Sequence, residues 1–212
     1  MICQDSTMDR PSRQYRGKSA EQRTADRREQ LLEAGLTVFG RDGGDRATMT
    51  AICQEAGLTE RYFYESFSGR DELLVCVVER IADEIRERAL AALAESERGP
   101  EERARAAIAA FVAVLTDDPR KGRVAVVEST GSEPVRVRRR ELLRQFAGLV
   151  AVESRELWGD RALQPPHDQI AALLFVGGLA ELTTAWLGGE IDVTPDQIVE
   201  SATRQYVFTA HR

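Results

Sequence analysis

Two short segments with helical apolar spacing, Thr48 to Glu55 and Thr59 to Phe67, are separated only by Ala56-Gly57-Leu58. Helices this short are marginal alone in water, because nucleation fixes several dihedrals for the first hydrogen bond. Both must be held by a shared core, and a three-residue link forces a sharp corner between them. Each opens on a Thr whose hydroxyl can cap the free amides of the first turn. Phe63 and Phe67, at i and i+4, share a face with Ile52, Ala56 and Leu58 and read as core. The same spacing turns Glu60, Arg61, Tyr62, Tyr64 and Glu65 outward, and so many large aromatic and charged groups call for a partner.

Helical periodicity continues through nearly the whole chain. Leu31, Gly35, Val38 and Phe39 form a stripe that stops at Gly43-Gly44, and a long helix from Asp71 to about Glu97 carries Leu74, Val77, Val78, Ile81 and Ile85. Gly99-Pro100 breaks it, and the next helix presents Ile108, Phe111, Val112 and Leu115 before Asp117-Asp118-Pro119 stops it. A shorter helix follows around Val124 to Ser129. Pro134 opens a stretch to Trp158, Pro165-Pro166 another to Leu187, and Thr194-Pro195 the last, to about Ala210. No alternating run bounded by hairpin turns occurs. The reading is all-α with about nine helices, divided into a flexible basic arm (1–24), a three-helix domain (25–75) and a C-terminal helical domain (76–212).

The 212 residues suffice for a real core, and 42% hydrophobic with 30% charged residues describe a globular chain. The longest uncharged stretch, Gln169 to Ala180, is shorter than the ~17 to 25 apolar residues of a bilayer span, and the first residues lack a secretory h-region. No membrane partner and a cytoplasmic location are therefore expected. Cys3, Cys53 and Cys76 form no CxxC pair and are expected as reduced thiols, Cys53 in the core. With only His167 and His211, no Gly-rich phosphate loop and no HExxH, neither a metal site, a cofactor nor catalysis is expected. The formal net charge is −6, most of it beyond residue 75, while Arg10, Arg13, Arg16, Lys18, Arg23, Arg27 and Arg28 crowd the N-terminus.

Two short helices meeting at a Gly-containing turn form a helix-turn-helix pattern, whose second helix can enter the DNA major groove. Thr48 and Thr59 stand at helix N-termini that favour a phosphate. Tyr64 and Ser66 add hydroxyls and Arg70 a fixed charge, while Arg61 and Tyr62 can reach base edges or a thymine methyl.

The stretch from Arg28 to Phe39, then Thr48 to Phe67 with its Ala-Gly-Leu-Thr corner and Tyr-x-x-Phe pair, then Gly69 to Leu74, resembles the N-terminal DNA-binding domain of TetR-type transcriptional regulators. The resemblance implies that residues 25–75 bind double-stranded DNA. It implies a C-terminal domain that binds a small-molecule inducer and dimerises through its last two long helices. Three positions depart from the family pattern: Ser66 replaces a His or aromatic residue, Arg70 the usual Lys, and Tyr62 a common small residue.

In the C-terminal half, residues 168 to 188 are apolar on both sides. Phe175, Leu179, Leu182 and Trp186 lie on one, and Ile170, Leu173, Leu174, Gly177, Glu181, Thr184 and Ala185 on the other. With Gly178 permitting close approach, and with Ile198, Ala202 and Tyr206 on the last helix, a two-fold four-helix interface of a homodimer is expected. Glu153 interrupts the apolar stripe of its helix, and Glu128 and Glu181 pose the same question in theirs. With Phe111, Phe146 and Trp186 they are candidates to line an apolar pocket for a lipophilic ligand. Arg136, Arg140 and Arg144 read as one solvated face. The function that emerges is a ligand-responsive repressor binding a palindromic operator as a dimer and released by a lipophilic inducer. The alternative is a helical ligand-binding or protein-interaction module whose helix-turn-helix no longer works.

Overall fold

A computed structural model of the chain describes residues 19–43, 46–96, 99–129 and 132–211, without the side chains of 126–129. Among the described residues it contains nine α-helices, one 3-10 turn at Gly159–Arg161 and no strand. They are α1 (Ala20–Asp42), α2 (Met49–Ala56), α3 (Glu60–Ser66), α4 (Arg70–Glu95) and α5 (Pro100–Asp117). α6 (Pro119–Ser129), α7 (Glu133–Trp158), α8 (His167–Leu187) and α9 (Pro195–Ala210) complete the set.

Most boundaries fall within one or two residues of the sequence reading, and two differ by more. α1 begins at Ala20, because Ser19 Oγ accepts the Gln22 backbone N–H (3.0 Å) while the Gln22 side chain accepts the Ser19 N–H (2.8 Å). This reciprocal cap removes residues 20–24 from the arm; residues 1–18 lie outside the described residues. α6 begins at Pro119 rather than near Val124. Proline, expected as a stop, also starts the next helix, since its missing N–H is no loss in a first turn.

The head is α1 to α3 closed by the first turns of α4. Phe39, Ile52, Phe63, Phe67 and Leu73 are fully or almost fully buried there in one continuous core. A Cβ on Gly40 of α1 would stand 3.0 Å from the Arg120 backbone, so the head rests directly on the N-terminus of α6. Arg120 turns that contact into a clamp. Its guanidinium donates to Glu33 Oε1 (2.8 Å) and Thr37 Oγ1 (2.8 Å) on α1, and to Asp118 Oδ2 (2.7 Å) beside it.

Behind the head, α4 is 26 residues long, roughly 39 Å at 1.5 Å per residue, and runs from head to far end of the C-terminal domain against α5 and α7. A second core gathers Leu93, Ile108, Val112, Leu157, Trp158, Ile198 and Tyr206 at that far end. α8 is long and apolar enough to cross a membrane by length and composition alone. Here it packs against α7 and α9, burying Ala172, Val176 and Thr183. Its opposite side leaves Ile170, Leu173 and Leu174 exposed, Leu174 at 72%.

Phe63→Ala removes a side chain with no residual exposure and is expected to cost about 3–5 kcal/mol, read as a lower urea midpoint. Hydrogen bonding from Arg120 holds the Asp118 carboxyl below its ordinary value of 3.8, with the Arg120 backbone N–H and the charges of Arg120 and Lys121 adding to the effect against burial. A carboxyl depressed in the folded state stabilises above its unfolded value, and that contribution disappears as pH falls through the folded one. Asp118→Asn is therefore expected to lower the urea midpoint at pH 7. The gap to wild type should close as the pH is taken towards about 2.

Candidate nucleic-acid interface

The corner between α2 and α3 is made by Gly57, which adopts a left-handed conformation (φ 65°, ψ 28°). The Leu58 N–H donates to Cys53 O at 3.0 Å and that of Gly57 to Gln54 O at 3.2 Å, closing α2 as a C-terminal cap. The φ at position 57 is one that side chains other than glycine rarely take. Thr48 caps α2 through the Ala51 N–H (3.1 Å), as its place predicts. Thr59 does not cap with its side chain: α3 has no side-chain cap, and the Tyr62 N–H instead donates to the Thr59 carbonyl (3.0 Å). The Thr59 hydroxyl is left on an exposed residue at the mouth of the helix.

α3 divides sharply into two faces. Phe63 and Phe67 point inward with ring centroids 5.8 Å apart, and the Arg28 guanidinium lies 4.5 Å above the Phe67 ring. Outward stand Arg61, with 83% of its side chain exposed, and Tyr64 at 59%. Tyr62 is half-buried rather than free, because Arg27 of α1 covers one face of its ring at 4.5 Å. Ser66 and Arg70 are half-buried at the end of α3 and the start of α4, where Arg70 lies beside Asp71 (3.3 Å). Ser68 and Glu72 close this end, the carboxylate accepting both the Ser68 N–H and its hydroxyl at 2.6 Å. Those bonds hold the Glu72 carboxyl below the usual carboxylate range.

α3 itself is acidic, with Glu60 and Glu65 against Arg61. The Thr50 hydroxyl donates to Glu60 (3.3 Å), and Glu65 accepts from Arg61 (3.0 Å) with Arg27 at 3.7 Å. The roles of Arg27 and Arg28 in shaping this face were not anticipated, since a contact across some forty residues leaves no trace in local periodicity. Cys53 lies in the core beneath the corner, where burial pushes its thiol up and keeps it inert.

The C-terminal domain holds an apolar cavity of about 220 Å³ lined mainly by α4, α5, α7 and α8, with Ala125 of α6 and Tyr206 of α9. Phe111, Phe146 and Glu153 line it, as their placement in the apolar stripes suggests. Glu181 and Trp186 do not. Glu181 is exposed on the outer side of α8, and Trp186 packs in the far core and donates its indole N–H to Val193 O (2.8 Å). The side chain of Glu128 lies outside the described residues. Arg139 is a wall residue that the sequence hid, because it sits among the exposed Arg136, Arg140 and Arg144 of α7. Tyr206 also reaches the wall, bonded to Ser154 Oγ at 2.8 Å, and burial pushes its phenol up.

The expected two-helix interface is altered in one half. On α8, Ile170, Leu174, Gly178 and Glu181 are exposed and Gly177 is half-exposed. On α9, Ile198, Ala202 and Tyr206 are buried within the chain, packed mainly towards α5, so they cannot form an outer face. The outward residues of α9 include Glu200, Ser201, Arg204, Gln205 and Phe208, the last 84% exposed. Periodicity located the stripe correctly but could not say whether this chain or a second one covers it.

Residues 31–77 match the family model for bacterial regulatory proteins of the tetR family. The chain is 28% identical over 185 residues to the HTH-type transcriptional regulator BetI of Rhizobium meliloti, covering 85% of this chain and 87% of that protein. Its fold is similar to the fatty acid degradation regulator FadR of Bacillus halodurans (TM-score 0.72, 17% identity, 93% of this chain and 100% of the other). It is also similar to FadR of Bacillus subtilis, solved in complex with stearoyl-CoA (TM-score 0.71, 16% identity, 86% and 99%). Corner motif and head domain are thus similar to those of the tetR family of bacterial regulatory proteins over residues 31–77, and the chain as a whole is similar to a regulator of the helix-turn-helix type.

Proposed function

We propose that the chain is a dimeric repressor that binds a palindromic operator through α3 and is released by a small lipophilic molecule held in the C-terminal cavity. The observation that carries the DNA reading is the division of α3. One face is locked by Phe63 and Phe67, while Arg61 and Tyr64 stand at the surface behind a glycine corner with the half-buried Tyr62 beside them. In this reading Arg61 and Tyr62 touch bases, whereas Thr48, Thr59, Tyr64, Ser66 and Arg70 contact phosphates and set the register. The basic residues before Ser19 add phosphate contacts and salt dependence.

A dimer is supported by the exposed strip of Ile170, Leu173 and Leu174 on α8 together with Phe208 on α9, apolar groups that no part of the described chain covers. Two-fold symmetry would present two copies of α3 roughly 34 to 36 Å apart, one turn of B-DNA. The cavity supports a lipophilic ligand, since its wall is almost wholly Leu, Ile, Val, Ala and Phe, with Arg139 and Glu153 among its few charged members. The similar B. subtilis regulator holds a long-chain acyl thioester, which fits the same chemistry. α4 lines the cavity with Val78 to Leu93 and the head with its first turns, and α6 reaches from Ala125 in the cavity wall to Arg120 at α1. A ligand that favours another tilt of these helices would change the spacing of the two α3 copies. Full release would need about 10⁴-fold preference for that state.

A footprint and anisotropy titration on duplexes from the chain's own promoter test the DNA reading. Tyr62→Ala is expected to change base preference, and Arg70→Ala to weaken all sequences alike, by roughly three- to tenfold. A folded dimer that protects no sequence would favour a module with an idle helix-turn-helix. For the cavity, stearoyl-CoA and dodecyltrimethylammonium serve as anionic and cationic probes. One of them is expected to raise the melting temperature and release DNA. Ala107→Trp, which fills the cavity, should abolish both responses and spare DNA binding; a response unchanged in that variant places the ligand elsewhere.

A further inference from the structure

We propose that Glu65 is a specificity-determining residue: a built-in phosphate surrogate that occupies Arg61 and Arg27 until a cognate sequence gives Arg61 a better acceptor. The inference rests on α3 being the DNA-contacting helix. The two oxygens of this one carboxylate face two different guanidinium groups. Arg61 Nε donates to Oε1 at 3.0 Å from within α3, and the Arg27 guanidinium stands 3.7 Å from Oε2 across from α1. Arg27 is further fixed by its bond to Thr24 Oγ1 (3.0 Å) and by its place 4.5 Å over the Tyr62 ring. Guanidinium groups hold a DNA phosphate through the same kind of charge-assisted N–H···O bond to an oxyanion. Here the oxyanion belongs to the protein, on the face that would meet the duplex.

The consequence is a bias against indiscriminate binding. Non-specific affinity comes from cations that replace the counterions of the phosphates. Glu65 withdraws two such cations from that competition and adds a negative charge of its own on the face presented to the backbone. A guanine edge at the right position offers Arg61 a bidentate acceptor at N7 and O6, worth about 5- to 150-fold in discrimination, whereas a random duplex offers only another oxyanion in exchange. Glu65 therefore penalises the wrong sequences more than the right one.

The test compares wild type and Glu65→Gln, each as the full-length chain, on the duplex that wild type enriches from a random pool and on an unselected duplex of equal length, across a salt series. For Glu65→Gln, affinity for the unselected duplex is expected to rise roughly three- to tenfold and its salt slope to steepen by about one unit. Affinity for the enriched duplex should change less, so that discrimination falls. Adding Arg61→Gln in the same chain should return the slope to its wild-type value. Unchanged affinity and slope on the unselected duplex, or an equal loss on both duplexes, would overturn the proposal. Glu65→Ala gives the same readout should the amide disturb the helix. If wild type enriches no sequence at all, the DNA-binding reading itself fails. Enrichment by wild type with an unmoved Glu65→Gln removes only the role given to Glu65.

Discussion

Burial of Phe63 and Phe67 is the constraint from which the rest of the molecule follows. α3 has only seven residues and no side-chain cap, so its own hydrogen bonds cannot keep it helical. What holds it is the insertion of two aromatic rings into a core shared with Phe39, Ile52 and Leu73. Because the rings are one helical turn apart, their burial also decides the rotation of α3 about its axis. Arg61 and Tyr64 are outside because Phe63 and Phe67 are inside. The outward face of α3 is thus set in place by residues that are themselves buried.

The head is not loosely tethered to the remainder. α4 is common to both cores, and the glycine at position 40 lets α1 sit directly on the first turn of α6. Around that contact lies a chain of ion pairs: Glu33 joins Arg80 and Arg120, and Glu84 joins Arg88 and Lys121. Partly exposed pairs of this kind add little stability singly. Their geometric effect is larger, since they give the seat of α1 on α4 and α6 a defined register. Any rearrangement of the cavity wall that displaces α4 or α6 must be passed through that seat.

Electrostatics in the head run against the simplest picture of a DNA-contacting surface. α3 carries more acid than base, and its acid is engaged rather than idle: Glu60 by Thr50, and Glu65 by arginines from two helices. In the proposed reading, such a face favours selecting one duplex over clinging to any. The apolar strip on α8 poses a different physical problem. It remains uncovered after both cores are complete, and exposed aliphatic groups in that number are costly unless a second surface meets them.

Much of this was legible beforehand because it is local. Helix number, the glycine corner, the inward pair Phe63 and Phe67, and the outward Arg61 and Tyr64 follow from spacing within one or two turns. The start of α1 was equally local, as Ser19 and Gln22 carry the spacing of a reciprocal cap. Contacts between distant segments were not legible. Arg27 over Tyr62, Arg120 between α1 and α6, and the Trp186 indole turned to Val193 each depend on how helices dock. The buried stripe of Ile198, Ala202 and Tyr206 was evident from sequence, yet its partner was α5 of the same chain. Sequence by itself determined which faces must be hidden, because helical period and side-chain chemistry are properties of neighbouring residues. Only the tertiary structure decided what hides them and which charges meet, because that depends on the relative placement of helices far apart in the chain.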